Sequence, residues 1–584
     1  MDDSNARPRL SVPIGAAVRR VFRKGYGLAD LRADVFAGLV VGVVALPLSM
    51  ALAIAVGAPP QHGLYTAIFA GSVTALLGGS KFQVTGPTAA FVVILAPIVS
   101  RHGLSGLLTA GFLAGILLVV LGVARLGSLI RFVPYPVTTG FTTGIAVVIA
   151  TLQIKDVLGL KLAAMPEPYH EKVWALWQAR GTLDPRELVV AAATLLLLLL
   201  LPKVIQKVPA PLLAIGAVAA GVAAAHALWP GFEVATIGSR FQSTVDGVEV
   251  AGIPPVLPRP ALPWSGLHLD FEHFRALLPA AFAIAVLGAI ESLLSSVVAD
   301  GMTGTRHDPN SELVGQGIGN IVAPFFGGIA ATGALARTAT AIRAGARSPF
   351  AAVTHALVVL AAMLFLAPLV AYIPMASLAA LLLLVAWNMS EIRHFIGVVR
   401  IAPKGDVFVL LTCFLLTVVF DMVWAVSVGF LLAAVLFMRR MAELTESGFA
   451  IDATEEDHAL PKLPPGVAIY EVNGPLFFGA AHQAMEALHA SHGDTFHTLI
   501  LDLARVPVID ATGFAALGNT IRALHARGKR VVLAGPLPQP ARIWERAAKQ
   551  GRTAGIIVAV NREAALAQAS ARATLIGGGV GLRE

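Results

Sequence analysis

The chain of 584 residues has a single cysteine, Cys413, set inside an apolar run. No disulfide can form within it, and no cysteine-based metal cluster can be assembled. Its 15 histidines are scattered without metal-ligand spacing. No nucleophile stands paired with a base. An enzyme is therefore not expected, nor a metal or a cofactor. Charge is scarce as well. Only 13% of the residues are Asp, Glu, Lys or Arg, against about 25% in a soluble globular protein. With 56% hydrophobic residues and a mean hydropathy of +0.76, that scarcity excludes a soluble protein and leaves an integral membrane one. The formal net charge of +8 could suggest nucleic acid. The basic residues fall in short loops between apolar segments, as the positive-inside rule expects, so no nucleic-acid partner is expected. The basic N-terminal stretch (Arg7, Arg9, Arg19, Arg20, Arg23, Lys24) is not followed by a short apolar region with a cleavage site. The first apolar stretch reads as a retained span in the lipid bilayer.

Fourteen apolar segments follow: 35–56, 62–79, 86–100, 104–123, 131–152, 187–202, 209–228, 277–299, 312–327, 333–345, 350–370, 374–390, 406–420 and 422–438. Some fall short of the ~20 residues that a straight span needs. With the N-terminus cytoplasmic, Lys81, Arg125, Arg131, Lys203, Lys207, Arg306, Arg343, Arg347, Arg393, Arg400 and Lys404 all fall in inner loops. The outer short loops hold little beyond Arg101, and two longer outer loops, 153–186 and 229–275, mix both signs. An even count returns the chain to the cytoplasm at Arg439-Arg440.

Two of the short segments open alike. Gly78-Gly79 leads into Thr85-Gly86-Pro87-Thr88, and Gly327-Gly328 leads into Thr332-Gly333-Ala334-Leu335-Ala336-Arg337. A chain in lipid cannot leave backbone amides unpaired unless they face protein, water or a ligand. Broken helices at matching places in two halves point to a substrate site, with positive helix ends aimed at an anion. The two segments are the third and tenth spans, seven apart. Seven is odd, so the halves run in opposite directions: a 7+7 inverted repeat. Arg337 adds a cation about two turns deeper than the topology charge Arg343. Glu291, within Leu287-Gly-Ala-Ile-Glu291-Ser292-Leu-Leu-Ser295, is an acid in an apolar span and hence a functional candidate. Withdrawal from water suits it to exchanging protons; a structural acid or a partner of Arg337 is the alternative. Gly315-Gln-Gly317-Ile-Gly319 has no strand before it and reads as close helix packing, not phosphate binding.

After Arg440 the composition changes. Residues 442–465 read as an acidic, Pro-containing linker. From 466 to 572 strands and helices alternate: strands at 466–472, 498–503, 530–534 and 555–560, helices at 480–491, 513–527, 538–550 and 562–571. That pattern is a small α/β domain. Residues 573–584 read as a flexible tail, residues 1–30 as a cytoplasmic segment, and 31–441 as the transmembrane transport domain.

Pro59-Pro60-Gln-His-Gly63-Leu64-Tyr65, Thr85-Gly86-Pro87-Thr88, Pro136-Val137-Thr-Thr-Gly140-Phe141, Asn310-Ser-Glu312-Leu313 and Asp510-Ala-Thr512-Gly513 occur in order. Together they resemble the SulP family, also called solute carrier family 26, over about residues 30–570. The resemblance implies an all-α polytopic membrane domain of 14 transmembrane segments with core and gate subdomains, followed by a small α/β STAS domain. It implies an anion site lined by Leu52, Thr85, Gly86, Pro87 and Thr88, and by Gly333, Ala334, Leu335, Ala336 and Arg337. Glu291 and Ser295 match the positions that bind sodium in bicarbonate members. The longer Glu and the Ser lean towards a coupling proton over sodium. The runs Ala45-Leu46-Pro47-Leu48-Ser49, Ala299-Asp300-Gly-Met-Thr-Gly304 and Ala386-Trp387-Asn388-Met389 resemble the aerobic C4-dicarboxylate branch of the family. Proton-coupled uptake of succinate, fumarate or aspartate is the expectation that follows. Sodium-coupled bicarbonate or proton-coupled sulfate uptake is the alternative, and a membrane anion sensor signalling through STAS is the alternative of another class. The resemblance further implies a homodimer in the cell inner membrane, with the N-terminus and STAS cytoplasmic and a cytoplasmic protein partner for STAS. Thr512 matches the phosphorylated position of anti-sigma-factor antagonists, a regulatory reading set against simple helix capping.

Overall fold

The computed structural model describes residues 14–577 except 129–132, 163–164, 206–208, 230, 246, 267–270, 421, 444, 450–462, 492–495 and 551–555. Arg131, Lys207, most of the expected linker and the end of the tail thus lie outside the described residues. The chain forms two compact units, Met1–Phe430 and Leu431–Glu584.

The first unit is helical. It opens with α1 (Ala16–Lys24), α2 (Leu28–Val56) and α3 (Pro60–Leu77), then strand β1 (Thr85–Gly86) and α4 (Ala89–Val123). Next come α5 (Tyr135–Val157), α6 (Tyr169–Gln178), α7 (Pro185–Val204), α8 (Ala210–Leu228) and α9 (Ile237–Arg240). A hairpin of β2 (Gln242–Val245) and β3 (Val248–Ala251) precedes α10 (Phe271–Thr303) and α11 (Pro309–Phe325). Strand β4 (Thr332–Gly333) leads into α12 (Leu335–Arg343), α13 (Phe350–Val370) and α14 (Met375–Met389). The last of this series are α15 (Ile392–Ile401), α16 (Lys404–Val419) and α17 (Met422–Glu443).

Each of the fourteen apolar segments falls on one of these helices. Two share α4, whose halves part at Gly103, with φ 66° and ψ −173°. That conformation is essentially confined to glycine. Among the described residues, nine helices are long and apolar enough to cross a membrane by themselves. The shortest of the fourteen is α12, nine residues long. At 1.5 Å per residue it covers roughly 14 Å, about half the hydrocarbon thickness. It cannot cross alone, which is why its N-terminus lies within the fold.

The helices pack in two groups. In one, α4 packs on α11 and α10, α2 on α13, and α3 on α11 and α13, with α12 against α2 and α10. In the other, α5 packs on α14 and α16, and α7 on α14 and α8. The division matches the core and gate that the resemblance implies. Glycines set the closest approaches. A Cβ on Gly317 of α11 would lie 2.7 Å from the Gly115 carbonyl of α4, and one on Gly115 2.7 Å from the Gly317 carbonyl. The glycine-rich run of α11 is therefore helix packing. Cys413 is buried on α16, and a Cβ on Gly429 of α17 would collide with its sulfur.

The second unit holds a five-stranded sheet in the order β5 (Glu446–Phe449), β6 (Val467–Asn473), β7 (Thr498–Arg505), β8 (Arg530–Ala534), β9 (Ile557–Ala559). Strands β6 to β9 are parallel and β5 pairs antiparallel with β6. Alternation along β7 explains the layers. Leu499, Leu501 and Leu503 face a core with α18 (Phe478–Ser491), α19 (Ala511–Ala526) and Trp544 of α20 (Pro538–Lys549). Ile500 faces the other side, with Ala565 and Ala569 of α21 (Arg562–Gly577). Strand β5 departs from the linker reading of 442–465. Phe449 gives the reason: its ring meets Tyr470 edge-on at 5.1 Å, closing that end of the core.

Candidate functional site

Both Gly-Gly breaks are held from outside their own helices. After α3, the Gly79 and Ser80 amides donate to Glu312 Oε2 at 2.8 and 2.7 Å, and Gln83 Nε2 donates to Glu312 Oε1 at 2.8 Å. A Cβ on Gly79 would lie 2.0 Å from the Asp308 carbonyl oxygen, so only glycine lets the chain approach. After α11, Gly327 takes φ +75°, and its carbonyl lies 2.6 Å from His62 Nδ1. The Thr66 hydroxyl donates to the Ile329 carbonyl at 3.0 Å.

From these anchors the two strands cross. Thr85 pairs with Gly333 and Gly86 with Thr332, antiparallel. The same dipeptide, Thr-Gly, thus meets itself head to tail, as a two-fold relation between inverted halves requires. Each strand turns into a helix, α4 after Thr88 and α12 after Ala334, and neither N-terminus is closed by a side-chain cap. An uncapped helix start presents amide hydrogens and partial positive charge. The chain carries two such starts to one crossing.

Arg337 fills the space between them. It is 2% exposed. One Nη2 hydrogen goes to the Pro87 carbonyl at 2.8 Å, while Nε and Nη1 are buried without partners. Among the described residues no acid forms an ion pair with it, so Glu291 is not its permanent partner. Its Nη1 sits where a Cβ on Gly86 would be, 2.3 Å away, so the missing side chain makes room for the guanidinium. A buried charge with unfilled donors is costly unless something supplies acceptors. An anion between the two helix starts would do so.

Glu291 lies on α10 and is half-buried. It accepts a hydrogen bond from the Thr88 hydroxyl at 2.8 Å. The residue that begins α4 therefore spends its side chain on this acid instead of capping its helix. Ser295, one turn on, is wholly buried and donates to Thr338 Oγ1 at 3.3 Å. Leu335 and Ala336 are exposed at the start of α12, whereas Gly333 and Ala334 are buried. Leu52 is buried on α2, and its place beside this group rests on the resemblance. In the second unit, Thr512 is exposed in the first turn of α19. The cap is Asp510, whose carboxylate accepts from the Gly513 amide at 2.6 Å.

Sequence reasoning gave no site role to several residues that build this site. Ser292 accepts from the Gly333 amide at 3.0 Å and meets the Thr332 hydroxyl at 2.9 Å. Thr338 accepts from the Val84 amide at 3.0 Å. Glu312 is 1% exposed, and within the Asn310-Ser-Glu312-Leu313 motif it was named without a role. His355 of α13 is wholly buried, with neither ring nitrogen partnered, and lies close enough to Arg337 for their charges to interact.

Comparison with known proteins follows the same division of the chain. Residues 31–413 match the sulfate permease family, and residues 460–551 match the STAS domain. A Bacillus subtilis (strain 168) protein named "Putative sulfate transporter YvdB" is 43% identical over 88% of this chain and 94% of its own length. The bicarbonate transporter BicA of Picosynechococcus sp. is 30% identical over 88% of this chain and 91% of its own. Among solved structures, the murine Solute Carrier 26 family member A9 anion transporter in the inward-facing state superposes with a TM-score of 0.82. That match covers 95% of this chain and 94% of the murine one at 19% identity, a likeness of fold. None of these three proteins is named for a dicarboxylate.

Proposed function

The chain belongs to the sulfate permease family, and we propose that this multi-pass anion transporter moves a small oxyanion by alternating access around the crossing of β1 and β4. The observation that carries the reading is Arg337, buried with Nε and Nη1 unpartnered between two uncapped helix starts. Residues Thr85 to Thr88 and Gly333 to Arg337 would hold the anion, with Leu52 closing one wall. Glu291 is the coupling group. Ionised, it sets a negative charge against Thr88 and repels the anion; protonated, it does not. Anion and proton would then enter together, which is symport. The Ser295 hydroxyl is engaged by Thr338, which supports a proton over sodium.

Sulfate or bicarbonate is the leading substrate, because relatives 43% and 30% identical are named for them. A C4-dicarboxylate is the second reading, favoured by the runs at 45–49, 299–304 and 386–389. The basic inner loops support an inner-membrane orientation with the N-terminus and STAS domain in the cytoplasm. A homodimer, a protein partner at STAS and phosphorylation of Thr512 extend the proposal on resemblance alone. The domain limits proposed are 31–441 for the transport domain and 466–572 for STAS, whose sheet β5 joins from within the expected linker.

The test is uptake of radiolabelled sulfate, bicarbonate and succinate into proteoliposomes, with and without an inward proton gradient. Accumulation of one anion, increased by the gradient, is expected. Binding of an anion without any uptake would replace the transporter with a sensor.

A further inference from the structure

A cavity with charged groups in its wall lies away from the Arg337 group and shares none of its residues. It has a volume of about 400 Å³. One wall comes from the core helices, at the end of α2 (Ile54 to Ala58) and in α4 (Ala96 to Ser100). The other comes from the end of α5 (Gln153, Lys155, Asp156), from Glu167 before α6 and Lys172 near its start, and from Arg240 at the end of α9. These core elements are the ones that carry Leu52 and Thr88 towards the Arg337 site. Pro97 is nine residues beyond Thr88 on α4, roughly 14 Å at the helical rise. The cavity therefore lies at the end of α2 and just before the Gly103 bend of α4, between core and gate.

Its charges are not balanced. Arg240 Nη1 donates to Asp156 Oδ1 at 2.6 Å. Arg101 Nε lies 2.9 Å from Glu167 Oε2, and this guanidinium holds the Glu167 carboxyl below its usual range. Both acids in the wall are thus neutralised. Lys155 and Lys172 remain, each partly buried, and among the described residues neither has an ion-pair or hydrogen-bond partner. Burial pushes the Lys172 amine down. Two unpaired ammonium groups facing one confined space make a focused positive potential.

We propose that this cavity is a vestibule for the transported anion, in which Lys155 and Lys172 gather oxyanions at the mouth of the path between core and gate. The inference rests on the transport reading above and on the placement of 153–186 and 229–275 outside the membrane. It adds a second, weaker anion-binding place, loaded before the Arg337 site.

Two measurements separate the vestibule from that reading. The first needs no transport. In Val99→Cys protein in detergent, a lining position, the rates of modification by an anionic and a cationic methanethiosulfonate report the local potential. The buried Cys413 supplies no competing thiol. Adding Lys155→Gln and Lys172→Gln should cut the anionic-to-cationic rate ratio about tenfold at low salt, with little effect at ~1 M salt. An unchanged ratio overturns the vestibule whatever the protein transports. The second is uptake of sulfate, bicarbonate and succinate by the double glutamine variant. Its KM should rise about three- to tenfold at low ionic strength with maximal rate kept, and Lys155→Arg with Lys172→Arg should restore it. A shifted ratio with wild-type KM would also overturn the proposal, since the cavity would then lie off the path. Failure of the wild-type chain to take up any of the three would count against the transport reading.

Discussion

Gly86 and Arg337 depend on each other at the scale of single residues. A methyl group on Gly86 would meet Nη1 of Arg337 at 2.3 Å, and that atom ends a flexible side chain. The chain should therefore fold with Gly86→Ala, but with the guanidinium displaced. Anion affinity in equilibrium binding should fall about tenfold, roughly 1.4 kcal/mol, while Tm changes little. Wild-type affinity in that variant would separate Arg337 from the site. Glu291 makes the complementary case. Glu291→Gln keeps the Thr88 contact and mimics the protonated acid. Binding should then lose its improvement at lower pH, and proton-gradient-driven accumulation should disappear; accumulation at the wild-type level would remove Glu291 from coupling. Both residues were legible in the sequence, because a charge inside an apolar run is conspicuous. Ser292, Thr338 and Gln83 were not. Small hydroxyls and amides are ordinary in packed membrane helices, and only the fold brings them to Gly333, Val84 and Glu312.

Among elements, the crossing of β1 and β4 was announced by the paired Gly-Gly breaks, though not its register. Two residues are too short a strand to show a hydrophobic period. The fourteen segments were visible from hydropathy, including the two that meet in α4, where the non-helical φ 66° and ψ −173° of Gly103 part its two halves. Strand β5 was missed because Glu446, Ser447 and Gly448 carry little strand signal, and Phe449 gains its meaning only from Tyr470. The packing of α4 on α11 carries a prediction of its own. In Gly317→Ala the new methyl meets the Gly115 carbonyl and the Val119 amide, both at 2.7 Å. Backbone cannot yield as a side-chain tip does. Overpacking should cost about 1–3 kcal/mol, read as a lowered Tm in detergent. An unchanged Tm would mean that α4 and α11 are not held in this contact.

For the whole molecule, every residue assigned to the anion lies between Leu52 and Arg337, well before the second unit begins at Leu431. Deleting 444–584, just past α17, should leave a protein whose Tm still rises with substrate. A stable truncation that no longer responds, beside a full-length chain that does, would give the STAS domain a share in the site. The two-unit plan was legible from composition alone, since apolar segments give way to alternating strands and helices after Arg440. Substrate choice was not, because amides and one guanidinium accept sulfate, bicarbonate or a carboxylate alike. The central claim is that an anion completes the partners of Arg337 between two opposed helix starts. The most direct measurement is the equilibrium affinity of purified wild-type and Arg337→Ala protein for the anion that proteoliposomes accumulate. A charge-assisted contact is worth about 1.5–3 kcal/mol, so the variant should bind roughly ten- to a hundredfold more weakly while keeping its fold. Equal affinity in a folded Arg337→Ala protein would contradict the account.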